Sequence, residues 1–595
     1  MKFHPFVIPF IAGVVFLLIL IVFRLKQWLK GLDRKQHFFV KQNFLSLKTL
    51  YAIVEVFRES LLHFKIYRKN PVLGYMHMSL AFGWFMLIVF GKVKSVLYAG
   101  SFFEPMWLSI FFNFFVTSNE PYPYAAVMTF LMDFFLLIVL SGLLIAFVKR
   151  IYSRLVGMKK TTKHILIDRI ALVALWGIFP LRLFAEASSS ALYENGGFLT
   201  AGVAQMFSEN FASIVELPLW WAYSLSLSIF FFTLPFSRYM HIPAEVVMIF
   251  LKKWGVKTNE HHSGFTNIQL HACAKCGICI DACQLDFAAS QKNVQSAYFI
   301  GDARYNKLTE DVVNNCLMCG RCHEACPVGI ELTMIRQQYR NKKEMPGKLY
   351  YNYVDLNGYH ANVDIIYYAG CMTHLTPGII ISMKKIFQAA GMSYWFMDEE
   401  KGVCCGRPLR QQGFVQQAKD LVHKNLRMIH GANAKLLVTS CPICYVSFKE
   451  EYALQIPLMH HTEFIESLID DKKISLESKA ITAVYHDPCE LGRNAQIYDA
   501  PRNVLKHLNL KTSKCEKNNG LCCGSSLSNA VLDLDHQIKV RDNALNVLLE
   551  KNPDVLVTAC PMCKKAFTHG HKVAVMDIAE VVAKHLNEVK KKNNF

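Results

Sequence analysis

Nineteen cysteines stand in this 595-residue chain, all downstream of residue 270, and eighteen of them fall at metal-ligand spacing. Cys273, Cys276, Cys279 and Cys283 form one C-x2-C-x2-C-x3-C run. Cys316, Cys319, Cys322 and Cys326 form a second, followed by Pro327. Further on, Cys371, Cys404, Cys405, Cys441 and Cys444 make a five-cysteine set, which returns as Cys489, Cys522, Cys523, Cys560 and Cys563. Three thiolates spaced this tightly reach three irons of one cube from a single loop, and soft thiolate suits iron–sulphur clusters or zinc. Eight cysteines in the first register favour iron–sulphur over structural zinc. Such spacing also belongs to a reducing compartment rather than to disulfides. Cys515 is left over and reads as an ordinary residue. The chemistry implied is electron transfer.

The first eight cysteines resemble the bacterial two-cluster ferredoxins, in which the fourth cysteine of each run serves the other cluster. The resemblance implies one cubane [4Fe–4S] cluster on Cys273, Cys276, Cys279 and Cys326, and another on Cys316, Cys319, Cys322 and Cys283. Gln284 departs from the family, where proline normally follows the fourth cysteine, and an altered loop is expected there. The C…C-C-G…C-x-x-C sets resemble the cysteine-rich domain of the heterodisulfide reductase family. The same domain occurs in electron-transfer subunits of bacterial glycerol-3-phosphate, lactate and glycolate oxidation. Complete five-cysteine sets imply two non-cubane [4Fe–4S] clusters by that resemblance; zinc or a simple cubane in one copy is the alternative. The segment His486 to Arg493 also resembles the family, with Glu490 where histidine is common.

The elements that must position these cysteines can be read beside them. Cys371 to Cys404 and Cys489 to Cys522 both span 33 positions, and the flanking residues repeat with a period of about 118. Runs at Val363–Tyr368, Leu436–Val438, Ile481–Tyr485 and Val555–Val557 predict buried strands, and Gly413–Ile429 and Asn529–Leu549 predict helices. Two α/β cysteine-rich repeats related by a pseudo-twofold are expected, with cysteines on loops after strand ends. The fold class expected is multi-domain. An all-α five-helix membrane domain (1–250) precedes a ferredoxin-type α-helical domain (258–345), and the two repeats occupy 361–470 and 480–590.

The membrane domain is predicted from apolar runs near 5–23, 71–91, 124–148, 165–187 and 215–236, each long enough for a bilayer core of about 30 Å. Hydrophobic residues make up 52% of the chain and charged residues 19%, which suits partial embedding. The formal charge of +19 sits largely in loops, so it argues for membrane topology and against nucleic acid. Arg24 to Lys69 carries eleven basic residues against three acids, and Lys149 to Lys163 six against none. Residues 188–214 have no Lys or Arg, only Glu194 and Glu209. This bias places the iron–sulphur domains in the cytoplasm and the N-terminus outside, in a bacterial cytoplasmic (inner) membrane. No cleaved signal peptide is evident at Met1. An amphipathic helix on the inner leaflet, or a buried extension of the second span, is expected over 43–66.

Within the membrane, His77 and His241 are the expected axial ligands of a single b-type haem, with His63 and His164 in reserve. Five spans with histidines on the second and after the fifth resemble the haem b subunits of respiratory nitrate reductase and membrane-bound heterodisulfide reductase. Asp133 and Arg182, within the third and fourth spans, form a structural pair or serve a proton route or quinone contact. No nicotinamide or flavin fingerprint, phosphate loop or nucleophile elbow appears, so no catalytic residue is assigned and substrate oxidation falls to a partner. The fused layout resembles the ETF:menaquinone oxidoreductases. That resemblance implies electron flow from electron-transfer flavoprotein, or another soluble flavoprotein, through the clusters and haem b to menaquinone. The alternatives are a quinol- or haem-linked reductase of a heterodisulfide or protein trisulfide, and a membrane-anchored redox sensor.

Overall fold

Asn70 and Pro71 start the second long helix: the Asn70 side chain accepts the Leu73 N–H at 3.0 Å, proline takes the first helical position, and left-handed Gly100 ends the helix. The computed structural model describes residues 3–117, 122–158, 162, 164–341, 363–400, 402–478, 480–529, 531–569 and 572–587. Its five long apolar helices are Val7–Lys30, Pro71–Ala99, Ala125–Ile151, Leu166–Tyr193 and Glu209–Phe236, of 24 to 29 residues. Each is long enough to cross a hydrocarbon core at about 1.5 Å per residue, and the chain is a membrane protein. The helices outrun the apolar runs because basic turns such as Lys26 and Lys30 continue the same hydrogen-bond ladder beyond the apolar stretch. The fourth helix packs on the fifth, the second on the third and the first on the fifth.

Residues 43–66 do not form one amphipathic helix. A helix Leu47–Val56, capped by Ser46, runs into a π-helical turn Phe57–Leu61, and left-handed His63 (φ 51°) opens a short helix Phe64–Lys69. The Glu59 carboxylate accepts the Lys65 N–H at 3.1 Å across this break. Leu45, Leu47, Leu50, Tyr51, Ile53 and Val54 are all exposed, which suits a surface lying against lipid.

The chain forms two compact units. One comprises Met1–Asp281, Ile300–Asn306 and Cys326–Ile330; the other comprises Ala282–Phe299, Lys307–Ala325 and Glu331–Phe595. The segment expected to be a ferredoxin domain is therefore shared between them. The domain edges expected at 345, 361 and 590, with Lys159, Lys160 and Lys163 of the second basic loop, lie outside the described residues.

The second unit holds two four-stranded parallel sheets. β1 (Ile365–Tyr368), β2 (Tyr394–Phe396), β3 (Leu436–Thr439) and β4 (Leu458–His460) lie in the order β2-β1-β3-β4. β5 (Thr482–Tyr485), β6 (Asn509–Lys511), β7 (Val555–Thr558) and β8 (Ala574–Asp577) lie in the order β6-β5-β7-β8. The repeated sequence is thus a repeated strand order. One apolar core serves both copies: Tyr367, Ile379, Phe387 and Phe464 of the first pack with Tyr485, Val504, Ile578 and Val582 of the second. Sharing one core increases the apolar surface that each copy buries.

Candidate metal centre

In the first unit the helix Gly264–Ala272 delivers the loop that carries Cys273, Cys276 and Cys279. The Arg304 guanidinium donates to the carbonyls of Leu270 and Cys273, each at 2.6 Å. Thr162 Oγ1 donates to the Lys275 carbonyl at 2.7 Å, and Arg238 donates to the carbonyls of Ala274 and Lys275. Lys275 is left-handed and its N–H points at Cys273 Sγ, 3.4 Å away. In the second unit Met318 is likewise left-handed, with its N–H 3.4 Å from Cys316 Sγ. Both loops therefore aim a backbone donor at sulphur, the arrangement that tunes iron–sulphur centres.

The fourth cysteines change sides. Cys326 lies with the first unit, where Cys273 and Cys276 act electrostatically on its thiol. Cys283 lies with the second, where Cys316, Cys319 and Cys322 act on it. Burial pushes Cys326 up to about 11 and Cys322 up to about 12, and raises Cys283 as well. Thiols held neutral in this way are an environment that only a bound cationic centre turns into thiolates.

The two five-cysteine sets share one pattern of contact. Cys371 meets Cys404, which meets Cys405, which meets Cys444, which meets Cys441. The second set runs Cys489, Cys522, Cys523, Cys563, Cys560 in the same sequence. Cys371, Cys441, Cys489 and Cys560 stand just after the carboxyl ends of β1, β3, β5 and β7, whereas the pairs Cys404-Cys405 and Cys522-Cys523 lie on the loops that follow β2 and β6. The glycine of each C-C-G has positive φ, 88° at Gly406 and 83° at Gly524. A Cβ on Gly524 would come within 2.6 Å of the Gln537 carbonyl oxygen, and one on Gly406 within 3.0 Å of the Ala418 oxygen. Only glycine allows that turn beside so near a backbone. In the first copy, buried Asp398 accepts the N–H groups of Ala369 and Gly370 at 2.9 and 2.8 Å and so fixes the turn leading to Cys371.

Near the membrane, His77 is partly buried with His63 stacked on it, ring centroids 5.3 Å apart. His241 lies close enough to both for mutual electrostatic influence. His63 Nδ1 is 3.2 Å from the Leu61 carbonyl, and His241 Nδ1 is 2.8 Å from that of Arg238. A backbone anchor at Nδ1 turns Nε2 away from the backbone, the orientation seen in ligating histidines. His164 stands elsewhere, its ring nitrogens 3.2 Å from the Arg238 guanidinium.

The family described as "Cysteine-rich domain" matches residues 365–449 and 483–568, and that described as "4Fe-4S dicluster domain" matches 269–330. The chain is 26% identical over 390 residues to a component of the dihydromethanophenazine:CoB–CoM heterodisulfide reductase of Methanosarcina barkeri, covering 54% of this chain and 94% of that one. The chain is a heterodisulfide reductase-like iron–sulphur oxidoreductase. The oxidoreductase is also 24% identical over 482 residues to an EtfAB:quinone oxidoreductase of Syntrophomonas wolfei, covering 62% of this chain and 67% of the other. A third relative, "Probable iron-sulfur-binding oxidoreductase FadF" of Bacillus subtilis, is 22% identical over 597 residues, covering 78% and 83%.

Three linking residues of the oxidoreductase were not legible from its motifs. Gln284, in the place of a proline, forms a two-point amide clasp with Cys522: its Oε1 accepts the Cys522 N–H at 2.6 Å and its Nε2 donates to the carbonyl at 3.3 Å. Only the departure from proline signalled it. Replacing Gln284 with leucine is expected to lower stability by about 1–3 kcal/mol through an unsatisfied buried backbone pair, measured by denaturant unfolding. Glu490 pairs with Arg407 at 3.2 Å and accepts from Gln411 at 3.1 Å, so it joins the two C-C-G copies. Arg493 donates to the Cys319 carbonyl, and the Cys319 thiol feels Cys489 and Cys522.

Glu245 was also unforeseen. It lies one turn after His241 and is buried; burial first, then nearby Glu59, pushes its carboxyl up to about 8, against an opposing pull from Lys65. Between 4.5 and 8 the folded chain keeps a proton that the unfolded chain has lost, so this group makes stability fall as pH rises through that window. Glu245→Gln is expected to flatten that dependence and raise the melting temperature at alkaline pH. Thermal unfolding in detergent at about pH 6 and about pH 9 checks it.

Proposed function

We propose that the oxidoreductase passes electrons from a cytoplasmic flavoprotein, such as electron-transfer flavoprotein, to menaquinone in a bacterial cytoplasmic membrane. When bound, two cubane clusters, two non-cubane clusters and one haem b would supply the one-electron stations between these partners. Cys273, Cys276, Cys279 and Cys326 would hold one cubane, and Cys316, Cys319, Cys322 and Cys283 the other. The two five-cysteine sets would hold the non-cubane clusters, in repeats related by a pseudo-twofold. His77 and His241 would hold the haem, with the N-terminus outside and the cysteine-rich part in the cytoplasm.

The observation that carries this reading is the position of Arg238. Its side chain binds the carbonyls of Ala274 and Lys275 inside the first cysteine loop, while its own carbonyl anchors the His241 ring. One residue thus fixes a thiolate loop and a histidine at the membrane edge in a single register. The identity to an EtfAB:quinone oxidoreductase supports a flavoprotein donor and a quinone acceptor. The test is anaerobic purification with iron, sulphide and haem analysis, then stopped-flow mixing with reduced electron-transfer flavoprotein. Haem reduction, reversed by a menaquinone analogue, is expected; no response to the flavoprotein ends the proposal.

A second reading, reduction of a disulfide at the C-C-G sets, is supported by the match along 94% of the Methanosarcina barkeri heterodisulfide reductase component. Rapid disulfide turnover in the same preparation, without flavoprotein oxidation, would favour it. Arg238→Ala is expected to slow haem reduction at least about tenfold at unchanged iron content, because a misplaced positioning contact near a reacting group typically costs 10–100-fold.

A further inference from the structure

The half of the helical bundle remote from His63, His77 and His241 buries charges that no electron station uses. Lys94 follows His77 on the same helix by nearly five turns, about 25 Å along the axis. It is 3% exposed, donates to Asn113 Oδ1 at 3.1 Å and sits 4.3 Å from the centre of the Phe112 ring. The expected pairing of Asp133 with Arg182 is replaced by separate partners. Arg182 pairs with Glu186 at 3.0 Å, and Asp133 accepts from Leu199 N–H at 2.7 Å, Thr200 N–H at 2.9 Å and Thr200 Oγ1 at 3.1 Å. Lys94, Asp133, Arg182 and Glu186 line a cavity of about 10 Å³, space for about one water. One turn beyond Glu186, Ser189 donates to Glu216 at 2.6 Å, close to the helix end at Tyr193.

Charge inside a bilayer persists where it is paired or where it is used. Arg182 has its carboxylate, and Asp133 has two backbone donors and a hydroxyl. Lys94 makes no ion pair among the described residues; a neutral amide and an aromatic face hold its ammonium. Unlike arginine, lysine can exist in both protonation states, and a water-sized space beside it gives the proton somewhere to go.

We infer that Lys94, with the small cavity bounded by Glu186, Arg182 and Asp133, is a proton-transfer site that feeds quinone reduction from the side of the bundle opposite the histidines. The inference rests on the quinone reading above. There the quinone takes two electrons from reduced flavoprotein and two protons from water, forming the quinol. Electrons then enter from the cluster side and protons from the other, so turnover consumes protons on the far side of the membrane.

The test uses the full chain in proteoliposomes with menaquinone and trapped pyranine, and reduced electron-transfer flavoprotein outside. Only molecules with outward-facing clusters react, so the wild type is expected to alkalinise the interior as quinol forms. Lys94→Gln is expected to slow that alkalinisation at least about a hundredfold, the low end of what loss of a positioned proton-transfer group costs. Lys94→Arg keeps the charge and the fold but exchanges no proton, so it is expected to be as slow, with haem spectrum and melting temperature unchanged. Quinol formation with a constant interior pH overturns the inference, and so does wild-type alkalinisation by Lys94→Arg. Absence of quinol in the wild type itself brings down the quinone reading and this inference with it.

Discussion

Cys283→Ser is expected to remove the cubane of Cys316, Cys319 and Cys322, more than thirty residues away, and to spare that of its own run. Cys326→Ser is expected to do the reverse. Each variant should lose about four irons, one cubane's complement. The basis is the exchange of fourth cysteines between the two compact units, with Cys283 beside the second triplet and Cys326 beside the first. Double variants make the pattern decisive. Cys283→Ser with Cys319→Ser strikes one site twice and should lose no more iron than either change alone. Cys283→Ser with Cys276→Ser strikes two sites and should lose about eight irons, since independent sites add. Iron analysis of anaerobic preparations reads both, and the opposite additivity would show that each run closes its own cluster.

His77→Ala and His241→Ala are each expected to abolish haem b while leaving cluster iron intact. Removing an axial ligand takes away a bond to iron, whereas even outer partners of metal ligands are worth 10–100-fold in affinity. His63→Ala is the discriminating control, because the His63 ring stacks on His77 and its Nδ1 is anchored like that of His241. Haem is expected to survive that change with a shifted spectrum. Pyridine haemochrome assay of the three variants settles the ligands; haem lost with His63 but kept without His77 would reassign the second axial position.

The sequence read well wherever a local rule carries the structure. The runs at β1, β3, β5 and β7 were legible because central parallel strands are buried on both faces and read as unbroken apolar stretches. Their neighbours β2, β4, β6 and β8 were not foreseen. They are three- or four-residue edge strands: Asn509–Lys511 exposes two of its residues and carries no apolar pattern, and the apolar runs at Tyr394–Phe396, Leu458–His460 and Ala574–Asp577 are too short to mark a strand by periodicity. The five apolar helices were legible from length and composition, their extents less so. The helix expected over 43–66 failed at Glu59 and His63, where a carboxylate cap and a left-handed residue override helical spacing.

By itself the sequence determined the chemistry: eighteen thiols at ligand spacing, a repeat of about 118 residues and five spans are local or periodic facts. Only the tertiary structure decided which distant groups meet. It exchanged Cys283 and Cys326 between units, set Gln284 against Cys522, joined Arg238 to both a cysteine loop and His241, and gave Asp133 and Arg182 different partners. The physical reason is that these partnerships depend on hydrogen bonds between chain segments tens to hundreds of residues apart. Their partners are largely backbone carbonyls and N–H groups, which every residue carries and no motif can single out.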